Sequence, residues 1–238
     1  MFLPDIIFTA MQPLLLLHGA IGASGQMLPL ANELKGLDVI TYDFSGHGGK
    51  AYSDKPFSIA AFAEEVLALL DEQKMQTVNI FGYSMGGYVA MYLARHYPSR
   101  VNKVITLATK FHWDEPTAAK EGQMLDASKI EAKVPAYAKA LAERHAPNDW
   151  KEVLSKTAEM LRGLGADNAL KADDYTSVST ASLVLLGDRD RMVTLEETVA
   201  VYKSLPNAQM GILPDTHHPI EQVNIGVLTF LIQQFLNK

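Results

Sequence analysis

The sequence contains no cysteine among its 238 residues. This absence excludes disulfide bonds, a thiolate nucleophile and cysteine-ligated metal sites, so stability must come from core packing. The chain has seven histidines, but no two of them stand at the His-x-x-x-His spacing of a helical zinc site. We therefore expect neither a metal ion nor a cofactor.

Positive charge and long apolar runs are also scarce. The sequence has 21 Lys and Arg residues and 27 Asp and Glu residues, which gives a formal net charge of −6, and it has no basic cluster. This charge distribution argues against a nucleic-acid partner. No apolar run reaches the 18 residues of a membrane span. The first eleven residues carry Asp5 and lack the basic region of a signal peptide. We expect a cytoplasmic protein that acts on a small molecule and binds no membrane.

Short apolar runs alternate with amphipathic segments along most of the chain. Four-leucine and valine-rich runs such as Leu14–Leu17 and 77–81 are each followed by a segment with apolar residues at helical spacing. Repeated strand-helix units predict a mostly parallel central sheet with helices on both faces, the α/β class. From 110 to 174 this alternation stops and the pattern is helical throughout, which indicates an insertion.

The strongest local motif is Gly82-Tyr83-Ser84-Met85-Gly86-Gly87, which lies between an apolar strand and an amphipathic helix. This G-x-S-x-G setting is that of a nucleophile elbow, in which a sharp turn lifts the serine hydroxyl above the sheet. A chance Gly-Ser-Gly turn at a helix start is the alternative for so short a pattern. The surrounding segments favour Ser84 as a nucleophile.

An oxyanion hole is indicated upstream of the serine. The first leucine-rich strand ends in His18-Gly19-Ala20, where a loop N–H can face the same point as the N–H of the residue after the nucleophile. We expect the amides of Ala20 and Met85 to stabilise the oxyanion. His18 is expected to support this loop rather than to transfer protons.

A base and an acid follow in the order that such a serine requires. Gly187-Asp188-Arg189-Asp190 follows one late strand, and Thr216-His217-His218-Pro219 follows the last. Carboxyl ends of parallel strands face a common crevice, so these loops are expected to meet Ser84. Arg189 and Arg191 flank the candidate acid; they are expected either to lower its pKa through their charge or to point only into solvent.

The sequence resembles the α/β-hydrolase superfamily in four separated stretches. These are His18-Gly19, residues 43–48, the elbow at Ser84, and the acid and histidine loops. The resemblance implies that the acid is Asp190, from the Gly-x-x-Asp pattern, and that residues 110–174 form a helical cap on a core made of 1–109 and 175–238. It also implies that 43–48 is mainly a turn, so His47 is not expected to act in catalysis. Residues of the cap are either lining a substrate pocket or packing in the core of the cap itself, and Trp113 is the candidate for substrate binding among Phe111, His112, Trp113 and Met124.

The sequence departs from the family pattern at two places. His217 stands where the family usually has a glycine before its histidine, so the base is either His217 or His218. We favour His218, because Pro219 suits the first position of a helix and places His218 at the loop-to-helix junction. The second departure is a start too short for the family's two leading strands, so we expect one or two edge strands to be missing.

These residues together predict a serine hydrolase, by default a carboxylesterase acting on a small ester through an acyl-enzyme on Ser84. A serine at this position is unlike the aspartate nucleophile of the family's dehalogenases and epoxide hydrolases. Two alternatives stay open: a lyase or carbon–carbon bond hydrolase that uses the same triad, and a receptor that keeps the fold and binds a ligand with little turnover. The oligomeric state is not indicated by the sequence.

Overall fold

The computed structural model of the protein describes residues 12–238. Within them a six-stranded parallel sheet has the strand order β2-β1-β3-β4-β5-β6, which confirms the predicted α/β class. The expectation about missing leading strands concerns residues outside this described range. The strands are β1 Leu14–Leu17, β2 Val39–Tyr42, β3 Val78–Tyr83, β4 Val101–Leu107, β5 Ala181–Gly187 and β6 Ala208–Leu213.

Helices cover both faces of the sheet, as the uninterrupted apolar strands require. In β1, Leu15 and Leu17 belong to one hydrophobic core whereas Leu14 and Leu16 belong to the other, because successive side chains of a strand point to opposite faces. The helices are α1 Leu28–Glu33, α2 Ile59–Glu72, α3 Met85–His96, α4 Glu115–Gln123, α5 Ala127–Lys133, α6 Pro135–His145, α7 Trp150–Ala166, α8 Ala172–Thr176, α9 Leu195–Ser204 and α10 Ile225–Leu236.

The two cores divide these helices between the faces. Apolar side chains of α2, α3 and α9 enter the core that contains Leu15 and Leu17, and those of α1 and α10 enter the core that contains Leu14 and Leu16. Each fully buried leucine or phenylalanine contributes roughly 1.5–3 kcal/mol of transfer free energy. In residues 12–238 no helix has both the length and the apolar character needed to cross a membrane.

The segment between β4 and β5 contains five helices, α4 to α8. Three of them begin at an aspartate whose side chain accepts a hydrogen bond from the first turn, namely Asp114, Asp126 and Asp149. Part of this segment has a small core of its own, in which Ile130, Leu141 and Trp150 are buried together. Other residues of α7, such as Met160, pack into the core that contains Leu15 and Leu17.

The last helix begins later than the sequence pattern indicates. A short 3-10 turn at Ile220–Gln222 is followed by α10, which begins after Asn224 because the Asn224 side chain accepts a hydrogen bond from Val227 N. Pro219 precedes the 3-10 turn rather than occupying its first position. The loop from β6 to α10 is therefore longer than predicted, and His218 lies inside it.

Candidate active site

Ser84 occupies the sharp turn between β3 and α3. Its backbone has φ +51° and ψ −117°, a left-handed conformation that is costly for a residue with a side chain. The turn is fixed from the neighbouring strand, since Ser84 N donates to Leu107 O at 2.8 Å and Thr109 Oγ1 donates to Ser84 O at 3.2 Å. Such strain is retained where the surrounding structure determines it, here at a half-buried serine that lines a cavity.

The glycines of the motif are required by close backbone approach. A Cβ atom on Gly82 would lie 2.3 Å from Gly86 O, and one on Gly86 would lie 2.5 Å from Leu17 O. Both contacts are with backbone atoms that cannot move aside cheaply. The pattern G-x-S-x-G therefore follows from how tightly β3, α3 and β1 meet beneath Ser84.

His218 and Asp190 form a hydrogen-bonded pair near this serine. His218 Nδ1 lies 2.8 Å from Asp190 Oδ2, and the Asp190 side chain is completely buried. An ionised carboxylate only accepts, so Nδ1 carries the proton and Nε2 is left as the acceptor. Asp190 Oδ1 accepts from the amides of Met192 and Val193 at 2.8 and 2.9 Å, so the carboxylate is held from both sides.

The ionisation of Asp190 is governed by these contacts. Burial opposes its charge, but the hydrogen bond and charge of His218, together with the two amides, outweigh burial and hold the pKa of the carboxyl below its usual value. Arg189 and Arg191 are exposed and are not among these causes, so the expectation that their charge lowers the pKa of Asp190 is wrong. Arg189 Nε instead lies 3.8 Å from Asp188 and 4.0 Å from Asp215.

The structure separates the two adjacent histidines. His218 lines the same cavity as Ser84, and Tyr83 Oη donates to its backbone oxygen at 2.9 Å. His217 is exposed. No hydrogen bond joins Ser84 Oγ to His218 in the described part of the chain, and contacts of this kind often tighten only when a substrate binds.

The two residues whose N–H groups are expected to form the oxyanion hole, Ala20 and Met85, both belong to the cavity wall. Ala20 follows β1 and Met85 begins α3, and both residues line the cavity with Ser84. Neither N–H donates to an acceptor within residues 12–238. Unpaired amides at a helix N-terminus and a loop are suited to a developing negative charge.

The cavity has a volume of about 400 Å³ and is lined by both the sheet's loops and the helical segment. Trp113 lines it, and Trp113 Nε1 donates to Lys110 O at 3.2 Å. Met124 also lines the cavity. Phe111 instead is buried in the core that contains Leu15 and Leu17, and His112 is exposed beside Asp114. The rest of the apolar lining includes Ile21, Ile59, Met160, Leu161, Leu164 and Val193.

Several charged and polar lining residues were not anticipated from the sequence. Lys110, Glu121, Arg144 and Glu221 all line the cavity. They come from the end of β4, from α4, from α6 and from the last loop, and no short motif connects them. Only the contact between the helical segment and the sheet's loops brings them together.

Three histidines outside the pair with Asp190, namely His18, His47 and His145, are buried at or beside the loop that follows β1. The rings of His18 and His47 are 5.0 Å apart, and those of His47 and His145 are 5.7 Å apart. Burial lowers the pKa of His18 to about 4 and also lowers the pKa values of His47 and His145. All three are therefore neutral near pH 7. His18 Nδ1 lies 2.8 Å from Gly19 O, next to Ala20.

Comparison with known proteins agrees with this architecture. A family model described as the alpha/beta hydrolase fold matches residues 12–128. A putative non-heme chloroperoxidase from Synechocystis sp. is 28% identical, with 92% of this chain and 91% of the relative covered. A 2-hydroxymuconate semialdehyde hydrolase from Pseudomonas putida is 25% identical, with 94% and 86% covered.

Solved structures share the fold at lower sequence identity. The enol-lactonase from Burkholderia xenovorans superimposes with a TM-score of 0.76 and is 21% identical, over 95% of this chain and 92% of that one. The chain belongs to the α/β-hydrolase superfamily. The family and the names of its relatives support a hydrolase activity.

Proposed function

We propose that the protein is a serine hydrolase, a carboxylesterase that cleaves a small ester through an acyl-enzyme on Ser84. One arrangement carries the proposal: a strained serine shares a cavity with His218, whose ring is bonded to the buried Asp190 carboxylate. A serine hydroxyl needs a base, and the base needs a group that fixes its tautomer. Ser84, His218 and Asp190 fill these three roles.

The reaction proceeds in two halves. His218 Nε2 accepts the proton of Ser84 as Oγ attacks the ester carbonyl, and the oxyanion is held by the amides of Ala20 and Met85. The tetrahedral intermediate collapses, the C–O bond to the alcohol breaks, and His218 returns the proton to the leaving alcohol. Water activated by His218 then attacks the acyl-enzyme and releases the acid.

Residues 110–174 act as a cap in this proposal. The segment supplies Trp113, Glu121 and Met124 to the wall of the cavity that Ser84 and His218 also line. A cap of this kind limits the size of the acyl chain and keeps bulk water from the acyl-enzyme. With a volume of about 400 Å³, the cavity suits a small substrate.

The direct test is covalent labelling with a fluorophosphonate probe, followed by turnover of 4-nitrophenyl esters of increasing acyl length. We expect the unmutated protein to be labelled and Ser84→Ala to be unlabelled. Ser204→Ala is the matched control, because Ser204 lies on the surface at the end of α9 with its hydroxyl bonded to Ala200 O, and it should label normally.

The outcomes separate the proposal from its alternatives. Absence of labelling in the unmutated protein would reject an activated serine. Labelling without ester turnover would favour carbon–carbon bond cleavage or a ligand-binding receptor on the same site. Labelling with turnover of short-chain esters supports the carboxylesterase.

A further inference from the structure

The ammonium group of Lys110 has protein partners at the cavity wall. Lys110 Nζ donates to Met192 O at 2.5 Å and lies 3.6 Å from Glu121 Oε1 and 3.9 Å from Glu197 Oε2. One N–H of the ammonium group is therefore hydrogen-bonded to a carbonyl oxygen, and its positive charge is paired with two carboxylates within 4 Å. Two carboxylates surround one cation here, so this end of the cavity does not present free positive charge.

Arg144, the second cation of the cavity, also has protein partners. Its Nη1 donates to Ile21 O at 3.1 Å, and its Nη2 lies 3.6 Å from Glu221 Oε1. Gln26 Nε2 also donates to Glu221 Oε1. This cation is thus balanced by a carboxylate that lines the same cavity.

Glu121 is the member of these clusters with unused acceptor capacity. It is 6% exposed and lines the cavity. Within residues 12–238 its carboxylate accepts no hydrogen bond, and its ion-pair partner is Lys110. Glu197, by contrast, accepts from the amides of Phe111 and Thr194. A buried carboxylate with free lone pairs faces the space that the substrate would occupy.

We propose that the site selects acyl chains without negative charge and that Glu121 is the residue that rejects carboxylate-bearing ones. This inference rests on the proposed esterase function. A substrate carboxylate entering the cavity would lose its hydration and find both cations already paired, with the Glu121 charge beside it. An uncharged chain of the same shape meets the apolar lining and incurs neither cost.

Three 4-nitrophenyl esters of matched length test the inference: the hexanoate, the monoester of adipic acid, and the monoester of adipic acid monoamide. They end in a methyl group, a carboxylate and an uncharged amide, so the amide separates charge from polarity. We expect kcat/KM for the adipate ester to be lower than for the hexanoate by at least about tenfold, since like charges at close range repel each other. The amide ester should lie within about threefold of the hexanoate.

Substitution of Glu121 then tests the residue itself. Glu121→Gln keeps the shape and removes the charge, and it should raise the adipate-to-hexanoate ratio of kcat/KM by about tenfold. Glu115→Gln is the control, because Glu115 lies on the same helix but is exposed, and it should leave the ratio unchanged. Glu221→Gln is a second variant for the case in which Glu121→Gln folds poorly. It removes the carboxylate paired with Arg144 and should also raise the adipate-to-hexanoate ratio of kcat/KM.

The result that overturns the inference is an adipate ester hydrolysed as well as the hexanoate by the unmutated protein. A ratio that is the same in Glu121→Gln as in the unmutated protein would also overturn the role of Glu121. In both cases hexanoate turnover and fluorophosphonate labelling would persist, so the proposed function would stand. Loss of both labelling and hexanoate turnover rejects the proposed function and this inference together.

Discussion

His145 donates a hydrogen bond from Nε2 to the carbonyl oxygen of Ile21 at 3.0 Å. The direction is set on the other side of the ring, where Nδ1 accepts from Gly48 N at 3.3 Å. Ile21 has φ +51°, a strained conformation for a β-branched residue, and it directly follows Ala20. The end of α6 therefore holds the loop whose amide we assign to the oxyanion hole.

Removal of the His145 contact should slow the chemical step. We expect His145→Ala to lower kcat for a short-chain ester by about tenfold to 100-fold with KM changed less, because small misplacement of an oxyanion donor is costly. His145→Gln, which retains a side-chain donor, should recover part of the loss. A folded His145→Ala protein with unchanged kcat would contradict this role.

The two adjacent histidines should respond very differently to substitution. His218→Ala should lower kcat by about 10⁴-fold or more, as loss of the base does in a serine triad. His217→Ala should stay within about threefold of the unmutated protein, since His217 is exposed. The comparison uses single-turnover acylation by a 4-nitrophenyl ester. A loss confined to His217→Ala would make His217 the base.

Asp190→Asn should leave the fold intact and still impair catalysis. The amide can donate to His218 Nδ1, which favours the tautomer with its proton on Nε2, where it cannot accept from Ser84. We expect kcat to fall by about 10⁴-fold. Circular dichroism serves as the folding control, and a loss of less than about tenfold would show that Asp190 does not orient the base.

Substitution of glycine by alanine should lower stability in the turn at Ser84 but not at an ordinary helix position. Gly86→Ala should lower the free energy of unfolding by about 3 kcal/mol or more, since its Cβ would meet the Leu17 carbonyl oxygen at 2.5 Å. Gly163→Ala is the matched control, because Gly163 lies inside α7 with no atom within 4 Å of the added Cβ. It should raise stability by up to about 1 kcal/mol. Urea unfolding measures both, and equal effects would refute the packing argument.

The buried histidines should make stability fall in mild acid. The pKa of His18 is lowered from 6.5 to about 4 and those of His47 and His145 are also lowered, so the unfolded chain binds more protons than the folded one below pH 6.5. Stability is thus fully present above pH 6.5 and is lost as the pH falls toward 4. Each histidine contributes a slope of at most about 1.4 kcal/mol per pH unit.

Removal of one of these histidines should make that slope smaller. His47 is suited to the test, because its Nε2 has no hydrogen-bond partner in the described part of the chain. We expect His47→Leu to show a shallower dependence of unfolding free energy on pH between 6.5 and 4, by up to one proton. An unchanged slope would contradict the assignment of the acid sensitivity to this cluster.

The sequence by itself determined the sheet and the position of Ser84 in a sharp turn between a strand and a helix. Short apolar runs such as Leu14–Leu17 specify buried strands, and the glycines around Ser84 specify a turn that only they can form. These signals are local, because strand burial and turn geometry depend on residues close together in the chain. The parallel α/β fold followed from them, and the structure confirms it.

The tertiary structure decided which side chains meet. Asp190 pairs with His218 and not with His217, and this choice depends on the path of the loop that joins β6 to α10. The placing of Lys110, Glu121 and Arg144 on one cavity depends on how the helical segment packs over the sheet. Such contacts join residues far apart in the chain, and no periodicity or spacing encodes them, because they arise only when separate elements pack together.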